Sequence, residues 1–93
     1  MSDGKRYQAN PVVSCGREAD GGVLYNPDTD RSSIINLTGL EIWSFLQEPR
    51  TTDEIVHHLS ATYKNVRREQ ALEDVHRFLE ALAEDFLTAS DDR

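Results

Sequence analysis

The one cysteine and three histidines of this 93-residue sequence, Cys15, His57, His58 and His76, are the first residues to test as a nucleophile or as metal ligands. A reactive thiolate needs a neighbouring base and an electropositive setting. Cys15 instead sits beside Gly16 in a run that suits a strand, where a lone cysteine behaves as a small hydrophobe. With no second cysteine it can form neither an internal disulfide nor a CxxC zinc pair. His57 and His58 are adjacent, so on a helix they point about 100° apart instead of forming the i, i+4 pair of a helical metal site. They and His76 read as surface or core residues. Gly21-Gly22 suits a hairpin rather than the strand-to-helix cradle that holds phosphate. The Asp-Ser-Leu attachment motif of a small acidic carrier protein is absent. These residues imply a protein with no catalytic residue, metal or cofactor of its own.

Size and charge point the same way. A chain this short hides only about 60–65% of the surface it exposes when unfolded, which allows one core and no deep, water-free pocket. No run of about 18 apolar residues is present, and Met1-Ser2-Asp3-Gly4-Lys5-Arg6 lacks a signal-peptide h-region, so no membrane contact and a cytoplasmic location are expected. Ten bases face 17 acids, a net charge of −7. A protein that neutralises DNA phosphates needs a basic stripe. The rival reading, a small winged-helix DNA-binding regulator, would use Thr38–Tyr63 as a helix-turn-helix. Its recognition helix would offer His57, His58, Ser60 and Thr62 behind Asp53 and Glu54, with no arginine, so nucleic acid is disfavoured.

The elements that must carry any function are three strands followed by three helices. Residues 12–18 and 23–25 flank Asp20-Gly21-Gly22, a tight-hairpin signal, and Asn26-Pro27-Asp28-Thr29-Asp30 makes a second turn before a strand from Arg31 to Asn36. Asn36 or Thr38 can cap the first helix, which carries Ile42, Trp43 and Leu46 and stops before Pro49; Trp43 would anchor it to the sheet. Thr51-x-x-Glu54 has capping-box spacing for the second helix, with Ile55, Val56, Leu59 and Tyr63 on one side. Leu72, Val75, Phe78, Leu79, Leu82 and Phe86 form the stripe of a third. Strands then helices predict an α+β domain with its helices packed on one face of a three-stranded antiparallel sheet. Residues 1–10 read as a flexible N-terminus, 11–87 as the domain and 88–93 as a frayed acidic tail. In a simple meander the third strand lies at an edge, and Ser32 to Asn36 contain neither proline nor charge to blunt it. Such an edge is either covered by another element or open to an added peptide strand.

Four blocks carry a resemblance. Asp20-Gly21-Gly22-Val23-Leu24-Tyr25-Asn26-Pro27, Ile35-Asn36-Leu37-Thr38-Gly39-Leu40-Glu41-Ile42-Trp43, Arg50-Thr51-Thr52-Asp53-Glu54-Ile55 and Glu73-Asp74-Val75-His76-Arg77-Phe78-Leu79 resemble, in order and spacing, the PqqD family. Its members are small peptide chaperones or fused recognition elements used in making ribosomally synthesised, modified peptides, pyrroloquinoline quinone among them. The resemblance implies a winged-helix-like fold in which a precursor's leader docks as an added strand beside the third strand, in a groove shared with the third helix. It implies as partners that leader and a modifying enzyme, often a radical-SAM protein, elsewhere a leader peptidase or other tailoring enzyme. Gln47-Glu48-Pro49 and Asp85 depart from the family's usual residues, and both are expected to lie outside the groove.

Carried over by position, the groove would use Arg31, Ser32, Ser33, Ile34 and Ile35 with Arg68, Leu72, Val75, His76 and Leu79 from the third helix. A six-member stripe is core as readily as groove, and Val75 and Leu79 fit either. Lys64, Arg67 and Arg68 gather where a helix begins, a position that costs an exposed cation about 0.3–1 kcal/mol. The cluster either attracts an acidic leader or stands solvated, balanced by Glu69 and Glu73. An exposed edge can also pair two copies into a homodimer.

Overall fold

The computed structural model describes residues 4–91. Nine elements follow in order: β1 (Lys5–Ala9), β2 (Ser14–Glu18), β3 (Gly21–Asn26), β4 (Arg31–Asn36), α1 (Leu37–Phe45), β5 (Arg50–Thr51), α2 (Thr52–Thr62), α3 (Arg68–Leu82) and β6 (Leu87–Asp91). They form an α+β unit with two small antiparallel sheets, ordered β2-β3-β4 and β5-β1-β6.

In the first sheet the expected meander is present and β4 is an edge. Leu24, opposite Ser33, and Ile35, opposite Gly22, face the helices and are buried. The hairpin turn falls at Ala19-Asp20, ahead of the Gly-Gly pair, which lies in β3. Gly21 has φ +147°, and a Cβ there would stand 2.0 Å from the Ile35 carbonyl oxygen, so the close approach of the two backbones requires glycine.

Asn36 rather than Thr38 caps α1: its Oδ1 accepts the Gly39 N–H at 2.8 Å. The α2 capping box forms as its spacing predicts, with Glu54 N–H donating to Thr51 Oγ1 at 3.2 Å and Thr51 N–H to Glu54 Oε1 at 2.9 Å. Ile42, Trp43 and Leu46 of the α1 segment, Ile55, Val56 and Leu59 of α2, and Val75, Phe78, Leu79 and Leu82 of α3 meet the sheet in one core. Ala71 takes the place in that core expected for Leu72, which is exposed.

The second sheet departs from the expectation of a flexible start and a frayed tail. Lys5–Ala9 and Leu87–Asp91 pair along their whole length, Ala9 opposite Leu87, and both of those side chains are buried. Ala9 N–H also donates to the Leu46 carbonyl at 2.8 Å, and Asn10 N–H to that of Phe86 at 3.0 Å. Residues 1–3 and 92–93, the remainder of those two segments, lie outside the described residues. Among the described residues no helix is long and apolar enough to cross a membrane.

Candidate functional site

Among the described residues β4 has a strand partner on one side only, which leaves the backbone groups of its other side unpaired by any strand. A cleft of about 300 Å³ runs beside it, lined on the strand side by Ser33, Ile34, Ile35 and Asn36 and floored by Gly39 and Ile42 of α1. The far wall is α3, through Asp74, Arg77, Phe78, Ala81 and Leu82. Gly39 keeps the floor low: a Cβ there would stand 3.1 Å from Ile35 Cβ and 3.4 Å from the Phe78 ring.

Two contacts fix the strand against the helix. Asn26, the last residue of β3, from which the chain enters the turn to β4, is 3% exposed and donates from Nδ2 to the Asp85 carbonyl just beyond α3. Its Oδ1 meanwhile accepts the Asp28 N–H at 2.8 Å. Arg31, which opens β4, meets the Asp85 carboxylate at 3.8 Å. Asp85, expected to lie outside the groove, thus pairs with its first strand residue. In the same turn Asp30 takes φ 59°, and the Tyr25 hydroxyl donates to Asp30 Oδ1 at 2.7 Å. That hydrogen bond raises the Tyr25 pKa above its ordinary value.

The sequence-predicted residues divide. Ser33, Ile34 and Ile35 line the cleft, and Arg31 and Ser32 share the same edge strand. The helical candidates do not join them: Val75 is wholly buried, and His76 and Leu79 line a separate cavity of about 620 Å³ against Tyr7, Leu87 and Thr88. Leu72 stands exposed, and so do Arg67 and Arg68 at the other end of α3 from Asp85. The wall residues missed were Asp74, Arg77, Phe78 and Ala81. They repeat the spacing of Leu72, Val75, His76 and Leu79 two residues later, and at 100° per residue two positions carry the set about 200° around the helix. An amphipathic stripe marks the axis facing the core; it does not say which of its two flanks meets the strand.

The rim of the α3 wall is charged, Asp74 and Arg77 pairing at 3.8 Å with Arg77 74% exposed. Among the described residues, Lys64, Arg67 and Arg68 have no ion-pair partner, and Arg67 caps α3 without a side-chain hydrogen bond.

Chemistry has little foothold elsewhere. Cys15, half-buried, lines a third hollow with Arg17 and Trp43. His58 Nε2 donates to Glu41 Oε2 at 2.7 Å and the His58 ring stacks on Phe45 at 4.1 Å between centroids, with the Arg50 guanidinium 4.1 Å from the Phe45 ring. This stack ties α1 to α2. Among the described residues no cluster of three His, Cys, Asp or Glu side chains could hold a metal ion.

Comparison with known proteins adds three findings. The family model described as coenzyme PQQ synthesis protein D (PqqD) matches residues 21–87. A solved structure of TbiB1 in complex with the TbiA(beta) leader peptide shares 31% identity, covers 85% of this chain and 93% of that one, and has a TM-score of 0.72. A lasso peptide synthetase B1 complexed with the leader peptide, at 20% identity, shares the fold with a TM-score of 0.71 over 88% of this chain and 96% of that one. Among curated proteins none matches.

Proposed function

The chain belongs to the PqqD family, and we propose on that premise that it is a non-catalytic peptide chaperone. It takes the leader of a ribosomally made precursor as an added strand beside β4 and presents the remainder to a modifying enzyme. The observation that carries this reading is the pairing of a free strand edge, without proline or charge from Ser32 to Asn36, with a cleft whose floor and far wall are mainly apolar. Backbone hydrogen bonds to the edge supply affinity for any extended chain, and the cleft selects among side chains. The similarity to a protein solved with a leader peptide supports the same choice of ligand.

No reacting group is needed for the task. Holding the leader raises the effective concentration of the attached segment at the partner's active site. That partner is a tailoring enzyme, of the radical-SAM type or another, met in the cytoplasm where ribosomal precursors emerge. Two copies pairing through β4 would use the same edge, so peptide and homodimer compete for it. The DNA-binding alternative gains no support: α2 opens with Asp53 and Glu54, and neither the family nor the two structures point to nucleic acid.

Titration of a fluorescently labelled leader peptide tests the reading with two variants. Ile34→Pro removes an N–H from an edge where proline is otherwise tolerated, and Ala81→Arg fills the cleft from an exposed wall position. Each should weaken binding at least tenfold while circular dichroism stays native. Unchanged affinity in both folded variants means that the peptide does not add at β4.

A further inference from the structure

The outer face of the first sheet carries an apolar row that ends at the free edge. Gly16, Val23 and Ile34 lie opposite one another across β2, β3 and β4. Val23 is half-buried, whereas Ile34 is 85% exposed, the most exposed large apolar side chain among the described residues. Neighbouring strands lie about 4.8 Å apart and side chains directly opposite one another pack together. A strand added to β4 therefore places one side chain in the next position of that row, against Ile34. The two residues flanking it alternate to the opposite face, on which Ser33 and the buried Ile35 face the cleft; Ile34 also borders the cleft, but the strand's alternation puts its side chain on the outer face with Val23.

We propose that this protein reads its ligand strand on both faces at once and so selects three consecutive apolar residues. The outer two enter the cleft against Ile42, Phe78 and Leu82, and the middle one, best β-branched or aromatic, packs on Ile34. A segment that only alternates apolar and polar residues fills the cleft but leaves Ile34 against a polar side chain. The inference rests on strand addition at β4 and adds to it the class of peptide taken.

Two fluorescein-labelled peptides, identical in a Thr, Ser and Lys host and differing in a central Leu-Val-Leu or Leu-Ser-Leu, are titrated against the full chain and against Ile34→Ser. The exposure of Ile34 leaves the variant's core untouched, which its circular dichroism checks. Leu-Val-Leu should bind the native chain about fivefold tighter than Leu-Ser-Leu, the scale of one good cross-strand pair, and the preference should vanish on Ile34→Ser. Equal affinities on the native chain, or a preference that survives in the variant, overturn the outer-face reading and leave strand addition standing. If neither peptide binds the native chain, strand addition falls with it.

Discussion

The side-chain amide of Asn26 donates to the main-chain carbonyl of Asp85, 59 positions later, and so ties the end of β3, where the chain turns into β4, to the segment just past α3. This hydrogen bond lies outside the cleft lining but links the chain leading into β4 with the chain leaving α3, the two elements that wall the cleft. Replacing Asn26 with alanine leaves the Asp85 carbonyl and the Asp28 N–H without partners in a part-buried site, which costs about 1–3 kcal/mol. Urea denaturation should show that loss with an unchanged m-value. Peptide affinity should fall as well, because β4 loses its fixed distance from Phe78 and Ala81. A variant as stable as the native chain would remove the tie from the account.

Two glycines of the β2–β3 hairpin should respond differently to alanine. At Gly21 the added Cβ meets the Ile35 carbonyl oxygen at 2.0 Å, with φ +147°; at Gly16 the nearest atom is the Val23 carbonyl oxygen at 4.0 Å. Gly21→Ala should therefore lower stability by more than about 1 kcal/mol, and Gly16→Ala should be near neutral. Thermal melts of the two proteins side by side check the contrast.

How far residues announce their structure here depends on how local the cause is. The capping box Thr51 to Glu54 and the strand Arg31 to Asn36 rest on short-range chemistry and are visible in the sequence. The pairing of Lys5–Ala9 with Leu87–Asp91 is not, because the alternation in Arg6-Tyr7-Gln8-Ala9 and Leu87-Thr88-Ala89-Ser90 spans only four residues each, and the partners lie at opposite ends of the chain. The strand half of the candidate site was legible from its missing charge and proline. The helical half was displaced by two residues, since the flank of α3 that meets β4 follows from how the elements connect in space, a relation that the Leu72 to Phe86 stripe does not encode.

The terminal sheet gives a direct test of its contribution. Deleting residues 1–9 removes Ala9, strips β6 of its strand partner β1 and uncovers Leu87, which is 5% exposed. Exposing a leucine alone costs about 1.5–3 kcal/mol. The truncated chain should melt several degrees lower or more, yet bind peptide with similar affinity at a temperature where it stays folded, because the cleft lies on the other flank of α3. An unchanged melting temperature would show that β1 adds nothing.

Tyr25 should titrate late. Its hydroxyl donates to Asp30 Oδ1, and this hydrogen bond, followed by burial and the Asp30 charge, raises its pKa above the ordinary 10.0. A folded-state pKa raised above the unfolded value means that the folded chain holds the proton more tightly. The contribution to stability is then complete below about pH 10 and is lost as pH rises through the folded-state value. Ultraviolet titration of the three tyrosines should show one high-pH component that disappears in Tyr25→Phe and moves down in Asp30→Asn. A Tyr25 that ionises with the ordinary pKa sinks the assignment.

The basic cluster at the start of α3 should act at the far end of the bound strand. β4 begins beside Asp85, just past the C-terminal end of α3, and Gly39, after its last residue, packs near Phe78, so the strand runs antiparallel to the helix. A ligand strand that continues past Asn36 heads toward Arg67 and Arg68, which are exposed and have no ion-pair partner among the described residues. Their charge is held against the helix dipole and is free to meet a carboxylate. Exposed pairs contribute about 0.2–1 kcal/mol each. Arg67→Glu combined with Arg68→Glu should accordingly weaken an acidic peptide several-fold in low salt, and the difference should close near 0.5 M salt, where the Debye length falls to about 4–5 Å. A neutral peptide should not distinguish the two proteins. Equal affinity for the acidic peptide at low salt would leave the cluster as a solvated surface feature balanced by Glu69 and Glu73.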